Sequence, residues 1–149
     1  MAKVEHYRGL GTDLEKLYQS IKQVIEDEKD LELYEYKGTL NGIPVRNIVA
    51  VNTSAKVLVG QLSEIHVSIT GNPNDYAVEV ASNAWFGSLV WPALAGLAIG
   101  GTAGLAAGTA VGGIVAYEFE RKMWKHVQEA VKKVSQVQPT LESVDTYHR

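Results

Sequence analysis

The spacing of apolar and polar positions changes several times along the chain. From Thr12 to about Glu28, Leu14, Leu17, Tyr18, Ile21, Val24 and Ile25 recur at three- and four-residue intervals, which predicts an amphipathic helix. Thr12 and Glu15 carry the capping-box pattern, in which a threonine hydroxyl accepts one orphan N–H and the glutamate reaches back to another. A β-rich stretch follows. Leu31–Leu40 and Ile43–Val51 flank Asn41-Gly42, two residues that tolerate positive φ and so predict a type I′ hairpin, with Pro44 near the start of its strand. Ile65, Val67 and Ile69 alternate with Glu64, His66, Ser68 and Thr70; Tyr76, Val78 and Val80 alternate with Ala77, Glu79 and Ala81. Gly71-Asn72-Pro73-Asn74-Asp75 between them is turn chemistry. Val57–Leu62 is either an extra strand or the start of the third. Strict alternation predicts one buried and one wet face. The expectation for residues 1–83 is therefore a small α+β domain, an N-terminal helix lying on an antiparallel sheet of about four strands.

After Asn83 the pattern breaks. Residues 84–117 are mainly Ala and Gly, with Leu, Val, Ile and aromatics between them. From Glu118 to about Ser135, Phe119, Met123, Trp124, Val127, Ala130, Val131 and Val134 line one face of a second amphipathic helix, with Arg121, Lys122, Lys125, Lys132 and Lys133 mostly elsewhere. Pro139 ends it, and the last ten residues read as frayed.

Charge sharpens this division. Of 149 residues with a net charge of −3, residues 1–83 carry a net −4, residues 84–117 carry no charged side chain, and residues 118–149 carry a net +1. That balance gives no reason to expect nucleic acid as a partner. The 34 uncharged residues exceed the roughly 18 at which a transmembrane helix becomes the default reading. The absence of cysteine excludes disulfides, thiolate zinc sites and cysteine nucleophiles. Residues 1–8 show no apolar signal-peptide core, and Ala2 argues against myristoylation.

Within the uncharged stretch Gly96, Gly100, Gly104, Gly108 and Gly112 recur every fourth residue. On a helix they would share one face and cut a groove that lets another backbone approach closely, offsetting a propensity cost of about 1 kcal/mol each. Over Gly96–Gly113 the chain resembles glycine-zipper membrane proteins, including two-helix hairpins. The resemblance implies close-packed membrane helices and homo-oligomers, with pores in some members. Trp85, Trp91 and Tyr117 bracket the run as interface aromatics do, and Arg121, Lys122, Trp124 and Lys125 follow it as an interfacial helix would. A single 34-residue helix would reach about 51 Å against a 30 Å hydrocarbon core. A shorter single span of 26 residues starting at Pro92 fits with tilt but sets the N-terminal domain across the membrane from the C-terminal helix. A hairpin turning near Gly100-Gly101-Thr102 keeps both on the cytoplasmic side and is the favoured of the two. No Lys or Arg lies within 20 residues before Ala84, whereas five follow Tyr117 closely, which sets that orientation.

Catalytic chemistry is sparse. His6, His66, His126 and His148 show no metal spacing, and His66 and His126 read as surface residues. No nucleophile elbow, phosphate loop or dinucleotide fingerprint occurs, so no catalytic residue, cofactor or metal site is expected. The expected function is a membrane-associated, self-assembling structural or scaffold protein, with pore formation or membrane remodelling as its extended forms; its partners are copies of itself and a lipid membrane. The alternative is a soluble homo-oligomeric shell or filament subunit with a shared Ala/Gly helical core.

Overall fold

The computed structural model describes residues 2–53, 64–82 and 116–148. Among them are six strands and two helices: β1 (Ala2–Arg8), α1 (Leu14–Glu26), β2 (Leu31–Leu40), β3 (Ile43–Asn52), β4 (Glu64–Asn72), β5 (Asp75–Ser82), α2 (Ala116–Val134) and β6 (Val144–His148). The strands form one sheet in the order β2-β3-β4-β5-β1-β6, antiparallel at every junction.

The local signals explain most of these elements. Asn41 and Gly42 take φ of 52° and 81°, the doubly positive pair that a type I′ turn requires, and they set Leu40 opposite Ile43. The turn at Pro73-Asn74 joins β4 to β5 with Asn72 opposite Asp75. The α1 stripe of Leu14, Leu17, Tyr18, Ile21 and Ile25 is buried, and α2 presses Phe119, Met123, Trp124, Val127, Ala130 and Val131 into the same core. Both helices lie on one face of the sheet, over Ile48, Ala50, Ile65, Val67, Ile69, Tyr76, Val78 and Val80. They also touch each other where His126 meets Ser20, and Lys122 Nζ lies 2.6 Å from Oε1 of Glu28, just beyond the end of α1.

Three expectations are corrected. The sheet has six strands rather than about four, because β1 and β6, both unanticipated, add to its β5 side; the fold among the described residues is mostly β rather than an α+β unit followed by helices. The helix cap is Asp13, whose side chain accepts from the Lys16 N–H at 3.1 Å, rather than Thr12. Neither described helix is long and apolar enough to cross a membrane, so the expected transmembrane helix is not found among the described elements. The Ala/Gly hairpin of helices, with Gly96, Gly100, Gly104, Gly108, Gly112, Trp85 and Trp91, falls outside the described residues, as does Val57–Leu62.

Candidate functional site: a buried polar face and a terminal cleft

The sheet face away from the helices is set by parity. Pairing registers put Tyr36, Asn47, Ser68, Glu79 and Val4 in one cross-strand row, and Tyr34, Val49, His66 and Ala81 in the next. Directly opposed side chains in such rows have Cβ atoms about 5 Å apart. Alternation predicts that this face is wet, but it is buried: Asn47 and Val49 are both 0% exposed, and Glu64, His66, Ser68 and Glu79 are all counted among the buried polar residues. Beside them Val45, Val49 and Ala81 form a second apolar cluster, with Tyr34, Tyr36, Leu40 and Val51 packed around it.

The polar members of that face include ionisable groups. The His66 ring N–H at Nε2 donates to Glu64 Oε2 at 2.8 Å, two residues back on the same strand and therefore on the same face. Asn47 is different: neither its amide nitrogen nor its oxygen has a hydrogen-bonding partner among the described residues. A buried amide in that state carries its desolvation cost uncompensated, roughly 1–3 kcal/mol. The sequence does carry a signal for this cluster. Polar residues at alternate strand positions indicate a face, and the indication says nothing of what lies above it.

A second feature is a cleft of about 1020 Å³ at one end of the molecule, where the start of α1, the end of α2 and the β4–β5 turn converge. Its lining includes Thr12, Lys16, Arg46, Asn72, Lys133 and Gln136. The acidic groups there are already engaged. Asp13 caps α1, and Glu15 receives Gln19 Nε2 at 3.0 Å, Lys37 Nζ at 2.9 Å and Arg46 Nε at 3.3 Å. Those contacts, the Gln19 bond foremost and the Lys37 bond next, hold the Glu15 carboxyl down at about 2. Behind the cleft Thr12 Oγ1 bridges Tyr76 Oη at 2.8 Å and Ser135 Oγ at 2.7 Å. Burial pushes the Tyr76 phenol up to about 12, against the opposing pull of its bonds with Thr12 and Ser135.

Other paired groups are likewise internal. Glu5 faces the helices and accepts from Tyr7 Oη and from Gln128 Nε2 at 2.9 Å, with Lys3 Nζ at 3.2 Å. His126 shares Nε2 between the Ser20 hydroxyl at 2.8 Å and the Ser20 carbonyl at 3.1 Å, which makes the pair a clasp between helices. Among the described residues no group of three or more His, Asp or Glu side chains could hold a metal ion.

The residues expected at a lipid interface separate. Trp124 is buried beneath the helix, with Lys3 Nζ 4.6 Å from the centre of its ring. Arg121, Lys122, Lys125 and Tyr117 are exposed. The apolar face of α2 is thus occupied by the sheet, and its outward face is cationic and polar. No protein-family profile matches the chain, and no curated protein or solved structure matches it either.

Proposed function

We propose that this chain is a self-assembling structural module, a scaffold that joins copies of itself. The observation that carries this reading is the open sheet. Among the described residues β2 lies at its edge and pairs with β3 alone, which leaves the backbone donors and acceptors of every other residue of this ten-residue strand facing outward. Such an edge is a template for another strand. The side chains with chemical potential support the same reading. Glu5, Glu15, Ser20, His126 and Tyr76 are held in contacts that join one element of the fold to another, which is what a rigid building block needs.

Self-association is common to both expectations drawn from the sequence, and here it rests on the sheet rather than on a transmembrane zipper. Sedimentation velocity of the full chain in mild detergent, over a range of concentrations, tests it. The expected result is a protein mass that is a multiple of 16.2 kDa. A monomer at every concentration overturns the proposal.

A further inference from the structure

Resting on that reading, we infer that a second copy of this chain docks edge to edge on β2, in one register centred on Tyr36, with Glu35 of each copy opposite Lys37 of the other. The argument begins with parity. Two antiparallel β2 strands related by a two-fold axis through the sheet keep their helices on the same side. Opposed residues must then share a face, so odd numbers meet odd and even meet even. Two such registers pair nine residues of the strand: 31–39 about Glu35, or 32–40 about Tyr36.

Charge decides between them. The register about Glu35 sets that carboxylate against its own copy, and like charges directly opposite destabilise a sheet. The register about Tyr36 sets Glu35 against Lys37 twice. Both side chains are exposed on the helix side of the edge, at 37% and 46%. Each already has a partner within its own copy: Lys22 Nζ lies 3.1 Å from Glu35, and Glu15 lies 2.9 Å from Lys37. Docking in this register links them into the run Lys22, Glu35, Lys37, Glu15, with the sign alternating at every step. A register shifted to centre on Lys37 opposes two cations and shortens the pairing.

The other face of the strand fits the same register. Tyr36 meets its own copy across the axis, and Tyr34 comes opposite Gly38. At Gly38 a Cβ would lie 2.1 Å from Tyr36 Oη, so the Tyr36 ring already fills the place of the missing side chain. The interface therefore has an aromatic centre on one face of the sheet and two ion pairs on the other, so apolar contact and charge complementarity favour the same register.

Charge reversal tests this in the full chain in mild detergent. Glu35→Lys and Lys37→Glu, made singly, are each expected to weaken self-association about tenfold or more. Mixing the two variants restores association, because the two cations of one then meet the two anions of the other. The double variant restores it as well. Tyr36→Cys gives a readout independent of those charges. In a chain with no other cysteine it is expected to crosslink to its own copy on oxidation, whereas Thr39→Cys, opposite Leu33, does not. A wild-type assembly that survives both single reversals, or that fails to crosslink through Tyr36→Cys, overturns the β2 interface and leaves self-association standing. A wild-type monomer overturns both.

Discussion

Thr12 Oγ1 and Ser135 Oγ stand 2.7 Å apart across 123 residues of chain, and this contact ties the start of α1 to the end of α2. The two residues also form an isolated antiparallel bridge, and backbone bonds from Asp13 to Val134 and from Gln136 to Leu10 reinforce it. Because Tyr76 joins through the same threonine oxygen, one hydroxyl couples both helices to β5.

Thr12→Val removes that hydroxyl at nearly constant shape and leaves Tyr76 Oη and Ser135 Oγ short of a partner. The expected loss is about 1–3 kcal/mol in urea unfolding. Asp13→Ala, one residue on, takes away only the helix cap and is expected to cost about 1 kcal/mol. Equal stability of Thr12→Val and wild type would show that the bridge contributes nothing.

Two carboxylates give opposite pH dependences. Glu15 is held below its ordinary range, so its contribution is present above the ordinary carboxyl value and is lost as pH falls towards about 2. Its side chain is half exposed, so Glu15→Gln is expected to cost less than about 1 kcal/mol at pH 7 and almost nothing at pH 2. Glu120 runs the other way. Burial raises its carboxyl, opposed by the bond it accepts from Ser82 Oγ at 2.8 Å. An acid raised in the folded state gives up stability as pH climbs from the unfolded value through the folded one. Glu120→Gln keeps an acceptor for Ser82 and is expected to stabilise by under about 1 kcal/mol at pH 7, with no gain at pH 3. Thermal melts of the two variants across pH check both signs; parallel curves would remove the assignment.

Gly71 holds φ at +126° in the β4–β5 hairpin, and a Cβ there would lie 2.3 Å from the Asp75 carbonyl oxygen. The conformation favours glycine, and the clash is with backbone that cannot rotate away. Gly71→Ala is expected to cost at least about 2 kcal/mol, whereas Gly9→Ala, at φ of +74° with open space around it, costs about 1 kcal/mol. Comparable losses at the two sites in denaturant titrations would assign the whole effect to φ.

The hairpins and helix stripes were legible because each rests on local chemistry: Asn41-Gly42 for the turn, and Leu14, Leu17, Tyr18, Ile21 and Ile25 for the buried stripe. β1 was not, because Lys3 and Glu5 occupy the helix-facing positions where an apolar residue would signal a strand. They are accommodated by partners far along the chain, Trp124 and Gln128. β6 is five residues long and is placed by β1, which sets Tyr7 opposite Val144. The buried polar face was hidden for a related reason. Glu64, His66 and Ser68 read as solvated by type, and their burial is a tertiary fact. The cap moved from Thr12 to Asp13 because both are good capping residues, and Thr12 is drawn into the Tyr76 and Ser135 bonds.

Asn47 gives the sharpest test of that face. It is 0% exposed, stands between Val45 and Val49 on the same side of β3, and lies opposite Ser68. Its amide lacks a partner on both atoms among the described residues, and these leave its loss of water uncompensated. Replacing such a group with an apolar residue removes the penalty, and a β-branched side chain suits a central strand. Asn47→Val is therefore expected to raise stability by about 1–2 kcal/mol in urea unfolding, with self-association unchanged. Asn47→Asp, which places a carboxylate in the same position, is expected to destabilise by several kcal/mol or to unfold the domain. A loss of stability in Asn47→Val would mean that the amide serves a bound group on this face, and the polar row of Asn47, Ser68 and Glu79 would then be a binding site rather than a cost of the fold.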